Sequence, residues 1–322
     1  MTPYTRSRRQ VLAACLLTLT AGGAAAQATP TVKLLVGYTA GGPVDAAARQ
    51  FAPALARELG QNVVVENKPG ANATLAGDLV SKAAPDGLTI WFAASPPLTI
   101  GPNIMKKMAF DPAKDITPIA PVLSYYNVLV VGRDLPQPTL KDLVAFAKAN
   151  PAKVFYGSAG IGSSNHLSGE LLAAKTGTQM VHVPYKGNAP AMTDVISGQL
   201  TMMFDIIGSA RNHIAGGRVR ALAVTSPQRN PSLPEVPTMI EAGVAGFDVG
   251  GWYGLYGPNH LPAALVAKIN DATRKALQQP ELRQMWAAAG YEQWSGNPEQ
   301  LATRAAQERE LWSTVTKGIT VD

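Results

Sequence analysis

Two stretches combine residue types and spacing that could do chemistry. "VGYTAGGPVDAAAR", Val36 to Arg49, runs an apolar segment into two glycines and a proline, then into an alanine-rich helical pattern. "YGSAGIGSSNHLSGE", Tyr156 to Glu170, repeats the plan with Gly157, Gly160 and Gly162, then Ser163 and Ser164 as capping residues. Strand, glycine turn and helix start make an anion site from bare backbone, because unpaired N–H groups and the positive helix end point at one spot. In the first stretch Gly42 can serve as N-cap, Pro43 as N1 and Asp45 as N3, from which a carboxylate can fold back onto the cap N–H. Arg49, four residues on, can pair with Asp45. A well-capped helix explains these residues without a ligand, except for the doubled glycine. A close ligand approach does need that bare backbone, and Gly42 is the position where a Cβ would fill the anion's space or be barred by a positive φ.

Other chemistries lack their residues. The second stretch does not have the G-x-G-x-x-G order, and no acidic residue ends the next strand "MVHVPY", so a nicotinamide or flavin is not expected. No G-x-S-x-G elbow occurs, and neither loop supplies a base–nucleophile pair. His166, His182, His213 and His260 include no i, i+4 pair, so no metal is expected. His166, on the first turn of its helix, can donate to a ligand, whereas His182 inside an apolar strand reads as a satisfied core residue. Asp205 ends the strand "LTMMFD", where it either caps the next turn or faces a cleft. Tyr38 is the first side chain after the first strand and should sit over the pocket.

The elements that must position these residues form an α/β pattern. Short apolar runs alternate with helical segments from Val32 to about Pro121, which predicts a mostly parallel sheet covered by helices. Phe51, Leu55 and Leu59 share one face of the first helix. After a Pro-rich irregular stretch, "NVLVVG" opens a second α/β lobe, which ends in a loop with one short helix ("RNPSLPEVPTMIEAGVAGF") and the strand "GWYGLYGP". The chain then finishes in helices, with Leu265, Ile269, Ala272 and Ala276 on one buried face. The expected division is a first lobe of residues 29–126 and 252–322 and a second of 127–251, with crossings near Tyr126 and Trp252. Trp252, Tyr253 and Tyr256 read equally as hinge packing or ligand contacts. Ligands of such folds lie where strand carboxyl ends from both lobes meet.

Residues 1–28 read as an export signal: Arg6, Arg8 and Arg9, a modest apolar run and the small-residue site "AQA". "SRRQVL" also fits the twin-arginine pattern. Removing the segment takes away Cys15, the one cysteine, so thiolate and disulfide chemistry are excluded from the remainder. Of 28 basic and 22 acidic residues, three basic ones leave with it, and 25 − 22 gives +3. No lysine or arginine run survives, which argues against nucleic acid.

These blocks together resemble the Bug-type solute receptors of tripartite tricarboxylate transporters. "GGPVDAAAR" is similar to the family's first loop, "GQNVVVENKPGANATLAGDLVSKAAPDGLT" to its next block and "GSAGIGSSNHLSGELL" to its second-lobe loop. "VHVPYKGNAPAMTDVISGQLTMMFD", "VRALAVTSPQRNPSLPEVPTMIEAG" and "WYGLYGPNHLP" continue the match in order. The resemblance implies a two-lobed, Venus-flytrap, periplasmic-binding-protein fold of type II kind. It implies a monomer that grips a small carboxylate, with bridging waters, and delivers it to membrane permease subunits. Carried over, it implicates Tyr38, Thr39, Gly41, Gly42 and Asp45, Ser95 after the third strand, Ser158, Gly162, Ser163, Ser164 and His166, and Asp205. Tyr38 stands where many members have phenylalanine, Val44 where threonine is common, and "AASPPLTIGPN" replaces a more polar loop. The solute could be a di- or tricarboxylate, an aromatic carboxylate or an amino acid. Two other readings use the same cleft: an exported hydrolase or lyase with His166 and Asp205 as acid and base, and a ligand sensor.

Overall fold

The computed structural model describes residues 30–316. The export signal read at residues 1–28 lies outside them. Strands β1 (Val32–Val36), β2 (Val63–Asn67) and β3 (Thr89–Ala94) pair in parallel, with helices α1 (Pro43–Leu59) and α2 (Thr74–Ser81) as connections. Helix α1 buries Phe51, Leu55 and Leu59 as its spacing requires. The segment after β3 folds into two single-turn helices, α3 (Pro96–Thr99) and α4 (Gly101–Ile104).

Next comes β4 (Ile116–Gly132), one 17-residue strand where the sequence suggested an irregular stretch followed by a new start. Its prolines explain the difference. Pro118 and Pro121 sit at the two places where pairing with β9 (Gly250–Pro258) shifts register, positions at which a missing N–H costs no ladder bond. Up to Tyr126 this strand pairs with β9, and from Asn127 onward with β7 (Met202–Ile206); β8 (Val219–Val224) pairs with it from Val128. The second half continues through α5 (Leu140–Ala149), β5 (Phe155–Ser158), α6 (Ser164–Thr176), β6 (Val181–Pro184), α7 (Asn188–Ile196) and, after β7, α8 (Ile207–Ala215). Helices α9 (Ala263–Leu277), α10 (Pro280–Ala288) and α11 (Pro298–Val315) close the chain, with the two-residue β10 (Glu292–Gln293) on β4.

The strand order is β2-β1-β3-β9-β4-β7-β5-β6, with β8 and β10 added on β4. The sheet is therefore mixed and not mostly parallel, because the two strands that cross its middle run antiparallel to their neighbours. One large core lies around the first half-sheet, where Phe51 packs with Phe92 and Trp286, and Tyr125 with Tyr253 at a ring separation of 4.9 Å. Two smaller cores cover the faces of the second half. Ile269, Ala272 and Ala276 of α9 are buried, and Leu265 is partly so. The short helix expected between Arg229 and Phe247 does not form. Pro231, Pro234 and Pro237 remove donors, and Thr238 and Glu241 bond each other's backbone N–H through their side chains, at 3.0 and 2.7 Å. Among the described residues, no helix is long and apolar enough to cross a membrane.

Candidate functional site

The first loop is held by Asp45. Its carboxylate accepts from the Gly41 N–H at 2.9 Å, from Arg49 Nε at 3.0 Å and from Asn67 Nδ2 at 2.9 Å. Burial pushes its pKa up, but the Arg49, Gly41 and Asn67 hydrogen bonds outweigh that and hold it below the usual carboxylate range. The expected fold-back therefore occurs one residue earlier than the cap. The left-handed residue is likewise Gly41 (φ 80°), and Gly42 has an ordinary φ of −80°. Only a non-glycine residue would find Gly41 costly. Both glycines line a polar cavity of about 280 Å³ shared with Ser209, Asn212 and His213 of α8 and with Arg218. Tyr38, by contrast, is buried over the cleft, and its hydroxyl donates to Asn72 Oδ1 at 2.9 Å.

The second loop is built around two histidines. The Ser163 hydroxyl caps α6 by accepting from the His166 N–H at 3.3 Å. His166 Nδ1 in turn accepts the Gly162 N–H at 3.1 Å, so its proton sits on Nε2. The His166 and His182 rings pack at 4.1 Å with their planes tilted by 31°, and Tyr156 stacks on His182 at 5.0 Å. Burial pushes both histidines down, His182 to about 3, and neither carries charge at neutral pH. His182 Nε2, from β6, lies 2.6 Å from Ser158 Oγ of the loop. Ser158 is wholly buried and also receives the Gly160 N–H at 3.1 Å, which makes the pair a brace for the glycine turn and not an exposed nucleophile.

Asp205 is fully buried at the end of β7 and accepts from Asn188 Nδ2 and from the Ile206 N–H. Burial raises its pKa to about 6, against the lowering effect of the Asn188, Ile206 and Ser209 hydrogen bonds. It caps the turn into α8, the first of its two sequence readings. Tyr125, at the crossing, meets both sides: its hydroxyl bonds Ser95 after β3 and Ser164 at the start of α6, and burial pushes its pKa up to about 12. Trp252, Tyr253 and Tyr256 are core side chains.

Two cavities lie side by side, with Tyr38 and Ala159 in the walls of both. The inner one, about 10 Å³, has room for about one water and is walled by Tyr38, Tyr125, Ser163, Ser164, Asn165 and Asn188. No lysine or arginine lines it. The outer one, about 580 Å³, opens past Asn72, Met105, Ile161 and Lys186. The two sides approach closely here: a Cβ at Gly162 would lie 2.6 Å from Ile104 Cδ1 and 3.2 Å from Asn72 Nδ2. Of the residues singled out in the sequence, Tyr38, Ser163 and Ser164 line the inner cavity, and Thr39 faces Gly187 across the cleft. Ser95 accepts from the Trp252 N–H at 3.4 Å.

The sequence reading missed Asn72, Asn165 and Asn188. Asn72 lies in three successive left-handed residues, Ala71, Asn72 and Ala73, with φ of 45°, 49° and 68°. Such residues cost about 1–3 kcal/mol each and persist only where their surroundings impose them. Here Gly37 supplies the room, since a Cβ on it would sit 2.2 Å from Ala73 Cβ, and the Tyr38 hydroxyl fixes Asn72. "PGAN" carried a signal, because asparagine tolerates the left-handed region; the cleft that uses it became visible only in three dimensions.

A mixed sheet that runs from one lobe into the other, with a cleft between them, is the architecture of a solute-binding protein. The tripartite tricarboxylate transporter family receptor model matches residues 47–321, and the chain belongs to that family. It is 37% identical over 311 residues to a Pseudomonas sp. (strain P51) protein described as the UPF0065 protein in the tcbD-tcbE intergenic region, covering 95% of this chain and 92% of that one. The structure of the periplasmic binding protein BugD aligns at a TM-score of 0.87 and 34% identity, over 90% of this chain and 97% of that chain. MatC from Rhodopseudomonas palustris, with bound malate, aligns at 0.83 and 33% identity, over 88% and 98%. This chain is accordingly a solute-binding receptor of that family. The acid–base reading of His166 and Asp205 gives way to the family's solute-binding role; His166 Nδ1 holds the Gly162 N–H, and Asp205 Oδ1 accepts from Asn188 of α7 and from the Ile206 N–H.

Proposed function

We propose that the cleft takes one carboxylate of a small organic acid where the two cavities adjoin. There Thr39, Ser163 and Ser164 would meet it directly or through a water in the inner cavity, with Tyr38, whose hydroxyl donates to Asn72, forming the wall beside them. Gly41, Gly42, Asp45, Ser95, Ser158, Gly162, His166 and Asp205 then shape and stiffen the two loops. The observation that carries this reading is the convergence of neutral donors from both loops on a chamber lined by no cation. An anion there is stabilised by aimed dipoles, each worth up to about 2 kcal/mol in partly buried positions. The lobes proposed are residues 29–126 with 252–322, and 127–251. The change of partners along β4 between Tyr126 and Asn127 supports that boundary.

In this reading residues 1–28 are removed on export, and the receptor works as a monomer that hands its solute to permease subunits. Thermal unfolding with a panel of organic acids and their carboxamides tests the carboxylate grip. At least one acid should raise the melting temperature while its amide does not; equal stabilisation by both would remove the reading.

A further inference from the structure

The inner and outer cavities differ in chemistry. The inner one presents hydroxyls and amides. The outer one has a wall that is mostly carbon, built by Ala71, Ala73, Met105, Ile161, Pro184 and Pro190. Its few polar groups are largely committed. Asn72 Oδ1 takes the Tyr38 hydroxyl, and the Tyr185 hydroxyl donates to Asp194. The remaining charge is Lys186, an exposed side chain at the rim. No carboxylate side chain lines either cavity. A solute in the outer cavity with its carboxylate at the mouth of the inner one therefore has one end beside donors and its body against hydrocarbon. A second carboxylate on that body would lose water with only a solvated lysine to replace it, and an ammonium group would meet no anion. An apolar body gains from the same burial.

We propose that the solute is an organic acid whose single carboxylate is its only charge and whose body is apolar, an aromatic ring or a short aliphatic chain. This rests on the carboxylate reading of the cleft and narrows it. The test is calorimetric titration of the purified protein with benzoate and hexanoate, against adipate, citrate and glutamate, and against benzamide and hexanamide. Hexanoate and adipate share a six-carbon chain and differ in the second carboxylate. Benzoate or hexanoate should bind at least tenfold more tightly than adipate, citrate and glutamate. Ile161→Asn, at a side chain already 36% exposed and so safe for the fold, should weaken hexanoate at least threefold and adipate less. Adipate, citrate or glutamate binding as tightly as the monocarboxylates would overturn the apolar body and leave the carboxylate grip standing. Amides binding as well as their acids would overturn the grip itself, and no binding by any of these compounds would overturn both.

Discussion

Gly187 and Thr39 meet across the cleft: a Cβ at Gly187 would lie 2.3 Å from Thr39 Oγ1 and 3.3 Å from the Thr39 N–H nitrogen. Gly187 has a φ of 145°, where a side chain is rarely found. The contact between the two sides therefore depends on a bare backbone at this point. Gly187→Ala should hold the lobes apart and weaken solute binding tenfold or more, about 1.4 kcal/mol. Small-angle scattering in saturating solute would show the variant larger than the parent. Unchanged affinity with full closure would show that the contact is incidental.

The two glycines of the first loop should separate cleanly. Gly41→Ala places a Cβ at a φ of 80° and should cost about 1–2 kcal/mol. Gly42→Ala, at a φ of −80° with 3.4 Å to the Thr39 carbonyl, should cost less than about 0.5 kcal/mol. Urea unfolding of both variants measures the difference, and equal losses would contradict it.

Asp205 should make the protein less stable as pH rises. Its pKa is lifted from 3.8 to about 6, so the native state holds its proton more tightly than the unfolded chain. That contribution is full below about pH 3.8, is lost as pH rises through 6, and amounts to about 3 kcal/mol at 1.36 kcal/mol per pKa unit. Asp205→Asn has no proton to lose. Its stability relative to the parent should improve by about that much between pH 4 and 7.5. A difference independent of pH would refute the assignment.

The packed histidines act with the opposite sign. Burial depresses both, so their contribution is present above about pH 6.5 and is lost as pH falls, for His182 towards about 3. Proton NMR should show neither ring titrating between pH 8 and 6, and solute affinity should be level over that range. A His166 titration midpoint near 6.5 would mean that its Nδ1 does not hold the Gly162 N–H.

Capture without a cation should be nearly indifferent to salt. Dipoles and buried hydroxyls are screened far less than exposed ion pairs. Affinity between 20 and 500 mM salt should change less than about threefold, against the losses typical of surface charge pairs. Ser163→Ala combined with Ser164→Ala should remove about 1–3 kcal/mol of binding. A steep salt dependence would point to Lys186 at the rim as the true anchor.

The sequence made the periodic parts legible and the tertiary ones not. The i, i+4 face of α1, the Ser163 cap and the Asp45–Arg49 pair are local, and spacing alone specifies them. The two crossing strands were harder, since Pro118 and Pro121 look like breaks until β9 is present to pair around them. In the site, the sequence reading offered Ser158, His166 and Asp205 as ligand contacts. Their partners, His182, the Gly162 N–H and Asn188, lie 24, 4 and 17 residues away along the chain, and only packing shows that these bonds already occupy them. Asn72 escaped because a run of left-handed residues has no periodicity to betray it.

Strand β4 passes unbroken from Ile116 to Gly132 and changes partners midway, so the two lobes share a sheet strand at the crossing. If the lobes turn about this strand, its resistance to bending is the same whichever solute sits in the cleft. Affinity observed for any solute is then its intrinsic affinity scaled by the fraction of molecules able to close. Residues at the bend, such as Tyr126 and Gly250, set a common multiplier, and residues on the cavity walls set the ranking. The receptor can be retuned to a scarcer or richer environment by drift at the bend, with its order of preference among solutes left intact.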